Sequence, residues 1–381
     1  MKICHVCNGH TVDDGRVFHR ACTTLAKAGY EVHLLAQGNG TTTYEEKGVI
    51  IHPLPRSISR WDRYTRVAQI AQIAAKLKAN LYHVHEPDLL GPVLKRVGSC
   101  PVIYDVHEVY LDLLKASTWI PSLIKPFIVC MWDLWERQLV QRCAAIIAVT
   151  EPQGHRYSLL HSNVRIIANY PDLSYNEELP VVERDGTTCV FTGVLRPDRG
   201  ISNMFKALAS LKRRGLLVNL VLAGNPLSDQ YLTSLLDEAK ALDIGEQVRY
   251  CGILSKREAL LLQHRASIGL ITDLPYKYFM TALPTKLMEY MSMGLPVVCS
   301  NLPVYRQVGG DTGAAIMIDP TKPEQIANAI ELLVQDRAQA HQIGETGKAA
   351  VRDRFNWQAE STKLLDLYHQ LIGVPHGRIK A

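Results

Sequence analysis

A strand–helix–strand pattern occurs twice in this chain, about 185 residues apart, and that repetition restricts the fold more than any other feature. In the first copy, residues 2–7 read as a short apolar strand. Residues 16–28 then place Val17, Ala21, Leu25 and Ala28 at helical spacing, Gly29 stops the helix, and 31–36 form the next strand. In the second copy, 189–192 is a strand, 202–212 a helix, Gly215 a stop and 218–223 a strand. The loops correspond too: Asp14-Gly15-Arg16 opens one helix and Asp198-Arg199-Gly200 leads into the other. Further strands are expected at 81–85, 102–105, 146–149, 164–167, 248–250, 268–271, 297–299 and 315–318. Short buried strands alternating with helices argue for parallel, doubly wound α/β sheets. A chain of 381 residues exceeds one ordinary core. The expectation is therefore two Rossmann-like domains, 1–170 and 187–355, joined by a polar linker at 171–186 and followed by a C-terminal helix and tail at 356–381.

Composition narrows the class. Hydrophobic content of 47% with 21% charged residues describes a soluble globular protein. No stretch reaches the roughly 18–20 uncharged apolar residues of a membrane span. The opening MKICHVCNGH reads as a strand, not a signal peptide. Nine cysteines scattered over both halves suit reduced thiols in the cytoplasm. Through Pro171, Lys and Arg outnumber Asp and Glu 19 to 14, whereas the remainder balances at 23 each. A basic first half suits an anionic acceptor or an anionic lipid surface, such as the inner face of the plasma membrane; the plainer reading is a modest imbalance without function. The chain lacks a long basic run or a recognisable nucleic-acid module, which argues against nucleic acid as partner.

Two segments carry the chemistry. In TALPTKLMEYMSMGLPVVCS, residues 281–300, Pro284 suits the first turn of a helix, Gly294 its C-terminal cap, and Pro296 prevents continuation. The N–H groups at such a helix start form a site for phosphate. Lys286 opposes the helix dipole in that turn, a conflict an anionic ligand relieves. Glu289 lies on roughly the same face and suits a ribose diol; the plainer reading is a surface ion pair with Lys286. In FTGVLRPDRGI, residues 191–201, Gly193 lets a ligand approach the backbone and Arg199 offers a planar fork of donors to a diphosphate.

FTGVLRPDRG, then LVLAGN, VRYCGIL and ALPTKLMEYMSMGLPVV, resemble in order and spacing the C-terminal domain of retaining glycosyltransferase family four, and AKAGYEVHLLAQG and YDVHE resemble its acceptor domain. The resemblance implies the GT-B fold: two facing Rossmann-like domains, with a C-terminal helix crossing back to the first. It implies a retaining, metal-independent hexosyltransferase using a UDP-sugar, glucose-type by first expectation, without a further cofactor. The acceptor would be a saccharide or a lipid-linked saccharide, in exopolysaccharide or glycolipid synthesis. By position in the motifs, Arg199 and Lys286 would meet the phosphates, with the backbone of Leu283, Pro284, Thr285 and Leu287. Glu289 would hold the ribose. Asn225, Ile253 and Leu254 would lie near the nucleotide. His107 would meet the donor sugar, and the loop bearing Gly15 and Arg16 would line its surroundings. Thr281 replaces the first Glu of the family's pair, and Val194 replaces a second phosphate-binding Arg.

Other patterns are weighed and set aside. Cys4-His5-Val6-Cys7 with His10 lacks a second ligand pair for zinc. Gly344-Glu345-Thr346-Gly347-Lys348 mimics a phosphate loop but no strand precedes it. His83 and His85 are expected on opposite faces of a strand. An Asp-x-Asp motif for a metal-bridged diphosphate is missing. Residues 119–142 carry an apolar face of Ile120, Leu123, Ile124, Phe127, Ile128, Met131, Trp132 and Trp135, flanked by Lys115, Lys125, Arg137 and Arg142, which suits either a membrane interface or a buried helix. Two other functions remain open: a sugar-nucleotide epimerase of the same fold, using Asp105 and Glu108 as acid and base, and a non-catalytic nucleotide-sugar-binding protein.

Overall fold

The computed structural model describes all residues except 57–59, 118–119, 178 and 375–381. The chain forms two compact units: Met1–Asn169 with Gln358–Ala381, and Tyr170–Trp357.

The sheet of unit 1 contains β1 (Lys2–Thr11), β2 (Glu31–Gln37), β3 (Tyr44–Glu46), β4 (Val49–Leu54), β5 (Leu81–Val84), β6 (Val102–Val106), β7 (Ala145–Ala148) and β8 (Val164–Ile166), in the order β3-β4-β2-β1-β5-β6-β7-β8. All neighbours are parallel except the edge pair β3 and β4. That edge hairpin was not expected; His52 and Pro53 interrupt the apolar run that would have marked β4. Both faces of the central strands are covered, so β5, β6 and β7 are buried at every position. The Trp357–Ile372 helix belongs to unit 1 from Gln358 onward. Its Leu364, Leu367 and Tyr368 are buried there.

Unit 2 is built on β9 (Thr188–Thr192), β10 (Asn219–Ala223), β11 (Val248–Tyr250), β12 (Ile268–Ile271), β13 (Val297–Ser300) and β14 (Ala315–Ile318), all parallel, in the order β11-β10-β9-β12-β13-β14. One core face gathers Phe191, Leu220, Leu222 and Ile330; the other gathers Val190, Leu287, Met291 and Val297. Residues of the 171–186 stretch pack within this unit: the Arg184 guanidinium donates to the carbonyls of His264, Met293 and Gly294.

Among the parallel strands of each sheet the chain order reverses once, between β1 and β5 and between β9 and β12. Doubly wound sheets bind ligands at the carboxyl ends of strands beside that reversal. The residues after β1, β5, β6, β9 and β12 are therefore the ones to inspect.

Two local expectations need correction, and two further segments find their place. The segment after Arg16 is not a plain α-helix: Val17–Cys22 is wound as π-helix before Thr23–Lys27 turns α-helical. Asp14 explains its start. Its carbonyl accepts from both Phe18 and His19 N–H, and its carboxylate accepts from Arg16 and Val17 N–H. His83 and His85 share one face of β5, as a two-residue strand period requires, and their rings stack 4.4 Å apart. Ile120 is buried, whereas Leu123 and Phe127 are exposed; Trp119 lies outside the described residues. The 344–348 sequence is interior to the Arg337–Arg354 helix and forms no phosphate loop.

Candidate active site

In unit 2 the Thr285–Ser292 helix begins at Pro284, and Gly294 follows its end with φ 63°. Its apolar face, Leu287, Met288 and Met291, is buried and fixes the helix on the sheet. Pro284 has no N–H, and the Thr285 N–H is engaged by the Leu283 carbonyl at 2.9 Å. The free donors of the first turn are thus the amides of Lys286 and Leu287, since no side chain caps this helix. Leu287 can serve a ligand only through its backbone, because its side chain is in the core.

Lys286 decides the character of this place. Its Nζ is buried without a hydrogen-bond partner among the described residues, 4.3 Å from the centre of the Phe191 ring. Burial lowers its pKa to about 8, against the opposing pull of Asp273. It makes no ion pair with Glu289 among the described residues, so the surface-pair reading is not what the structure contains. A Cβ on Gly193, whose φ is 132°, would lie 3.0 Å from that Nζ. The glycine therefore leaves open the space that the ammonium faces.

Arg199 ends a 3-10 turn, Pro197–Arg199, after β9. Its Nη1 donates to both Asp273 oxygens at 3.0 and 2.9 Å, and Tyr305 donates to the same carboxylate at 2.8 Å. Arg199 is thus held in place by a buried counter-ion, and Phe279 packs 4.7 Å from the guanidinium carbon. Gly200 follows with φ 69°, where a Cβ would be 2.3 Å from the Thr272 carbonyl oxygen. Glu289 is half-buried. Asn225, after β10, and Ile253, after β11, are exposed, and Leu254 is half-buried. Thr281 is exposed at the end of the Lys277–Met280 turn. Asp273, Tyr305 and Phe191 were missed in the sequence, although Asp273 stands two residues beyond β12, a position that flags function in such sheets.

In unit 1 the strand ends collect histidines. His5 Nδ1 and His85 Nε2 are 3.0 Å apart, and His85 Nδ1 and His107 Nε2 are 3.1 Å apart. His83 Nδ1 lies 2.6 Å from the Tyr368 hydroxyl. Asp105 accepts from Arg16 Nε and Nη2 at 3.2 and 2.9 Å. Burial pushes Asp105 upward, but Arg16 and then His107 outweigh it and hold the carboxyl well below its usual range. Burial holds His5 and His85 neutral and lowers His107 to about 3, although Asp105 opposes the shift. Arg16, expected at a ligand, is spent on Asp105 and on the Ile167 carbonyl. Gly15 lies in the preceding turn. Asp105 is held ionised and so is unsuited to proton donation, and Glu108 is exposed, so these two do not form a poised acid–base pair. The nitrogens of His5, His83 and His85 lie close enough to hold a metal ion, as do His85, Asp105 and His107. Both nitrogens of His5 and of His85 are already within hydrogen-bonding distance of neighbours in this structure.

Two family models match the sequence, "Glycosyltransferase Family 4" over residues 15–175 and "Glycosyl transferases group 1" over 180–350. The chain belongs to glycosyltransferase family four and has the GT-B fold. This glycosyltransferase is 21% identical over 309 residues to the GDP-mannose:cellobiosyl-diphosphopolyprenol alpha-mannosyltransferase of Xanthomonas oryzae pv. oryzae, covering 78% of this chain and 76% of that one. It is 24% identical over 391 residues to a glycogen synthase of Mycobacterium tuberculosis, covering 93% and 90%. Among solved structures, sucrose-phosphate synthase from Thermosynechococcus elongatus superposes with TM-score 0.75 at 18% identity, over 97% of this chain and 99% of that one. Anabaena HepE in complex with UDP-glucose superposes with TM-score 0.69 at 15% identity, over 97% and 100%.

Proposed function

We propose that this glycosyltransferase moves a hexose, glucose-type first, from a UDP-sugar to a saccharide or lipid-linked acceptor with retention and without a metal. The carrying observation is Lys286: an ammonium buried without a partner, facing the open side of Gly193 at a helix start. Desolvated cations are costly unless paired, and a diphosphate is the natural partner here. In this reading Lys286, the amides of Lys286 and Leu287, and Arg199 stabilise the charge that grows on the departing diphosphate. Glu289 accepts from the ribose hydroxyls, and backbone groups near Asn225, Ile253 and Leu254 meet the base. Thr281 stands where the family's first Glu would address the donor sugar. His107 is assigned a hydrogen bond to that sugar. The leaving phosphate takes the acceptor's proton, so no protein nucleophile is needed. UDP and glucose-type donors are favoured because UDP-glucose is bound in the related HepE structure.

The basic first half and the exposed Leu123, Phe127, Met131 and Leu134 support contact with anionic lipid at the cytoplasmic face of the membrane. No helix among the described residues is long and apolar enough to cross a membrane.

A thermal-shift panel of nucleoside-diphosphate sugars on the wild type, Lys286→Met and Glu289→Gln tests the donor site, with release of free UDP as the measure of transfer. Stabilisation by UDP-sugars that is lost in the lysine variant is expected. A wild type that no UDP or GDP compound stabilises ends the donor reading. UDP release that leaves only an epimerised sugar nucleotide would replace transfer by isomerisation.

A further inference from the structure

We propose that Tyr368, on the C-terminal helix, and the buried His83, His5 and His85 act as positioning residues that fix His107 in one tautomer, with a proton on Nε2 and a lone pair on Nδ1. The functional consequence rests on the donor-sugar role given to His107 above; the tautomer itself does not.

The groups form a single line. Asp105 Oδ2 lies 3.5 Å from His83 Nε2. His83 Nδ1 meets the Tyr368 hydroxyl at 2.6 Å, and that hydroxyl lies 3.4 Å from His5 Nε2. His5 Nδ1 then meets His85 Nε2 at 3.0 Å, and His85 Nδ1 meets His107 Nε2 at 3.1 Å. Burial keeps each imidazole neutral and the phenol protonated, so every member carries one mobile proton. A neutral imidazole donates from one nitrogen and accepts at the other. The line therefore has only two fully bonded states, with all protons pointing one way or all the other.

Asp105 chooses between them. Its carboxylate is ionised and held by Arg16. With the protons directed toward it, His83 turns Nε2–H toward the carboxylate, an electrostatic contact at 3.5 Å without hydrogen-bond geometry. With the opposite sense, a buried lone pair would face a buried anion at 3.5 Å, an uncompensated repulsion in a low-dielectric interior. Asp105 Oδ2 also lies 3.6 Å from His85 Nδ1 and 3.7 Å from His107 Nε2. One proton lies between those two nitrogens in either state, so those distances do not discriminate. The favoured sense runs from His107 Nε2–H to His85, from His85 to His5, from His5 to the Tyr368 oxygen, and from Tyr368 to His83. His10, whose ring is 4.4 Å from that of His107, does not compete for Nδ1, because its own nitrogens face Asp14 and Glu86. His107 thus offers a sugar hydroxyl an acceptor and no donor.

The test is side-chain nitrogen–proton correlation spectroscopy on the full chain with labelled histidine, at neutral pH and without ligand. His107 is expected to show the Nε2–H pattern in the wild type. An Nδ1–H or a charged pattern overturns the proposal. Tyr368→Phe keeps the shape of the side chain but removes both the donor to His83 and the acceptor from His5. Mixed tautomers at His5, His85 and His107 are expected, and unchanged His107 signals overturn the proposal. With a UDP-sugar and acceptor, kcat of Tyr368→Phe should fall roughly tenfold, the scale of one hydrogen bond to the sugar; an unchanged kcat overturns the functional part. If the wild type transfers nothing from any UDP-sugar, the donor reading fails while the spectra still decide the tautomer.

Discussion

The strand ends of unit 1 and the helix start of unit 2 both bury charge, and they treat it in opposite ways. In unit 1 the Asp105 carboxylate is matched by Arg16 and the histidines are neutral and joined to one another. In unit 2 the Arg199–Asp273 pair is likewise matched, but beside it the Lys286 ammonium rests against the Phe191 ring with no hydrogen-bond partner among the described residues. A compensated cluster holds a shape; a cation without a hydrogen-bonded counter-ion can still take an anion. That contrast separates residues that position from residues that bind better than exposure alone does.

The largest effect should come from breaking the compensated side. Asp105→Asn leaves the Arg16 guanidinium buried without its counter-ion, and removing one partner of a buried pair costs about 3–5 kcal/mol. Denaturant unfolding followed by a probe in unit 1 measures it. A loss no greater than that of an ordinary surface substitution would mean that the pair is not a buried anchor.

Lys286→Met attacks the other side and should separate function from stability. Transfer, as kcat/KM with the best donor, is expected to fall about 10²–10³-fold, the range for losing one preorganised charge stabiliser. The fold should gain. The lysine's folded pKa of about 8 is below its ordinary 10.5, so the fold penalises the charged form. Between those values the unfolded chain holds a proton that the folded chain does not, and stability rises with pH. At pH 7 the penalty remains, and methionine removes it. A rise in Tm of about 3 °C, the scale of about 1 kcal/mol in a unit of this size, is expected. A fall in both Tm and activity would make Lys286 a structural residue.

What the sequence disclosed follows the same division. The expected strands 268–271 and 297–299 fall on β12 and β13, which are buried at every position, because buried parallel strands read as short apolar blocks. β3 escaped because it is a fully exposed edge strand without an apolar run, and β4 because His52 and Pro53 interrupt its run. Pro284, Lys286 and Gly294 were legible as a helix start, a misplaced charge and a helix end, all local signals. Asp273, Tyr305 and the partners of His107 were not, since their meaning arises from contacts across 22 to 363 residues of sequence. Arg16 shows the converse: the motif pointed to a ligand, and the fold assigns its guanidinium to Asp105.

The smallest effect is a pH slope, and it sharpens the comparison most directly. A diphosphate beside Lys286 favours the charged ammonium, so the ligand must bring a proton with it once the free protein has lost one. Donor affinity should be flat below pH 7 and weaken above about 8. At pH 9 the charged fraction of the free site is down about tenfold, and the dissociation constant rises by about the same factor. In unit 1, His5, His83, His85 and His107 are lowered and contribute nothing in this range. His10 is the exception: burial opposes its charge, but the bond to Asp14 and the charge of Glu86 raise it. Lys286→Met separates the two sources. Titration calorimetry of the donor in buffers of different ionisation enthalpy should show proton uptake above pH 8 in the wild type and none in the variant. Equal uptake in both would move the slope to His10 and leave Lys286 without its anion.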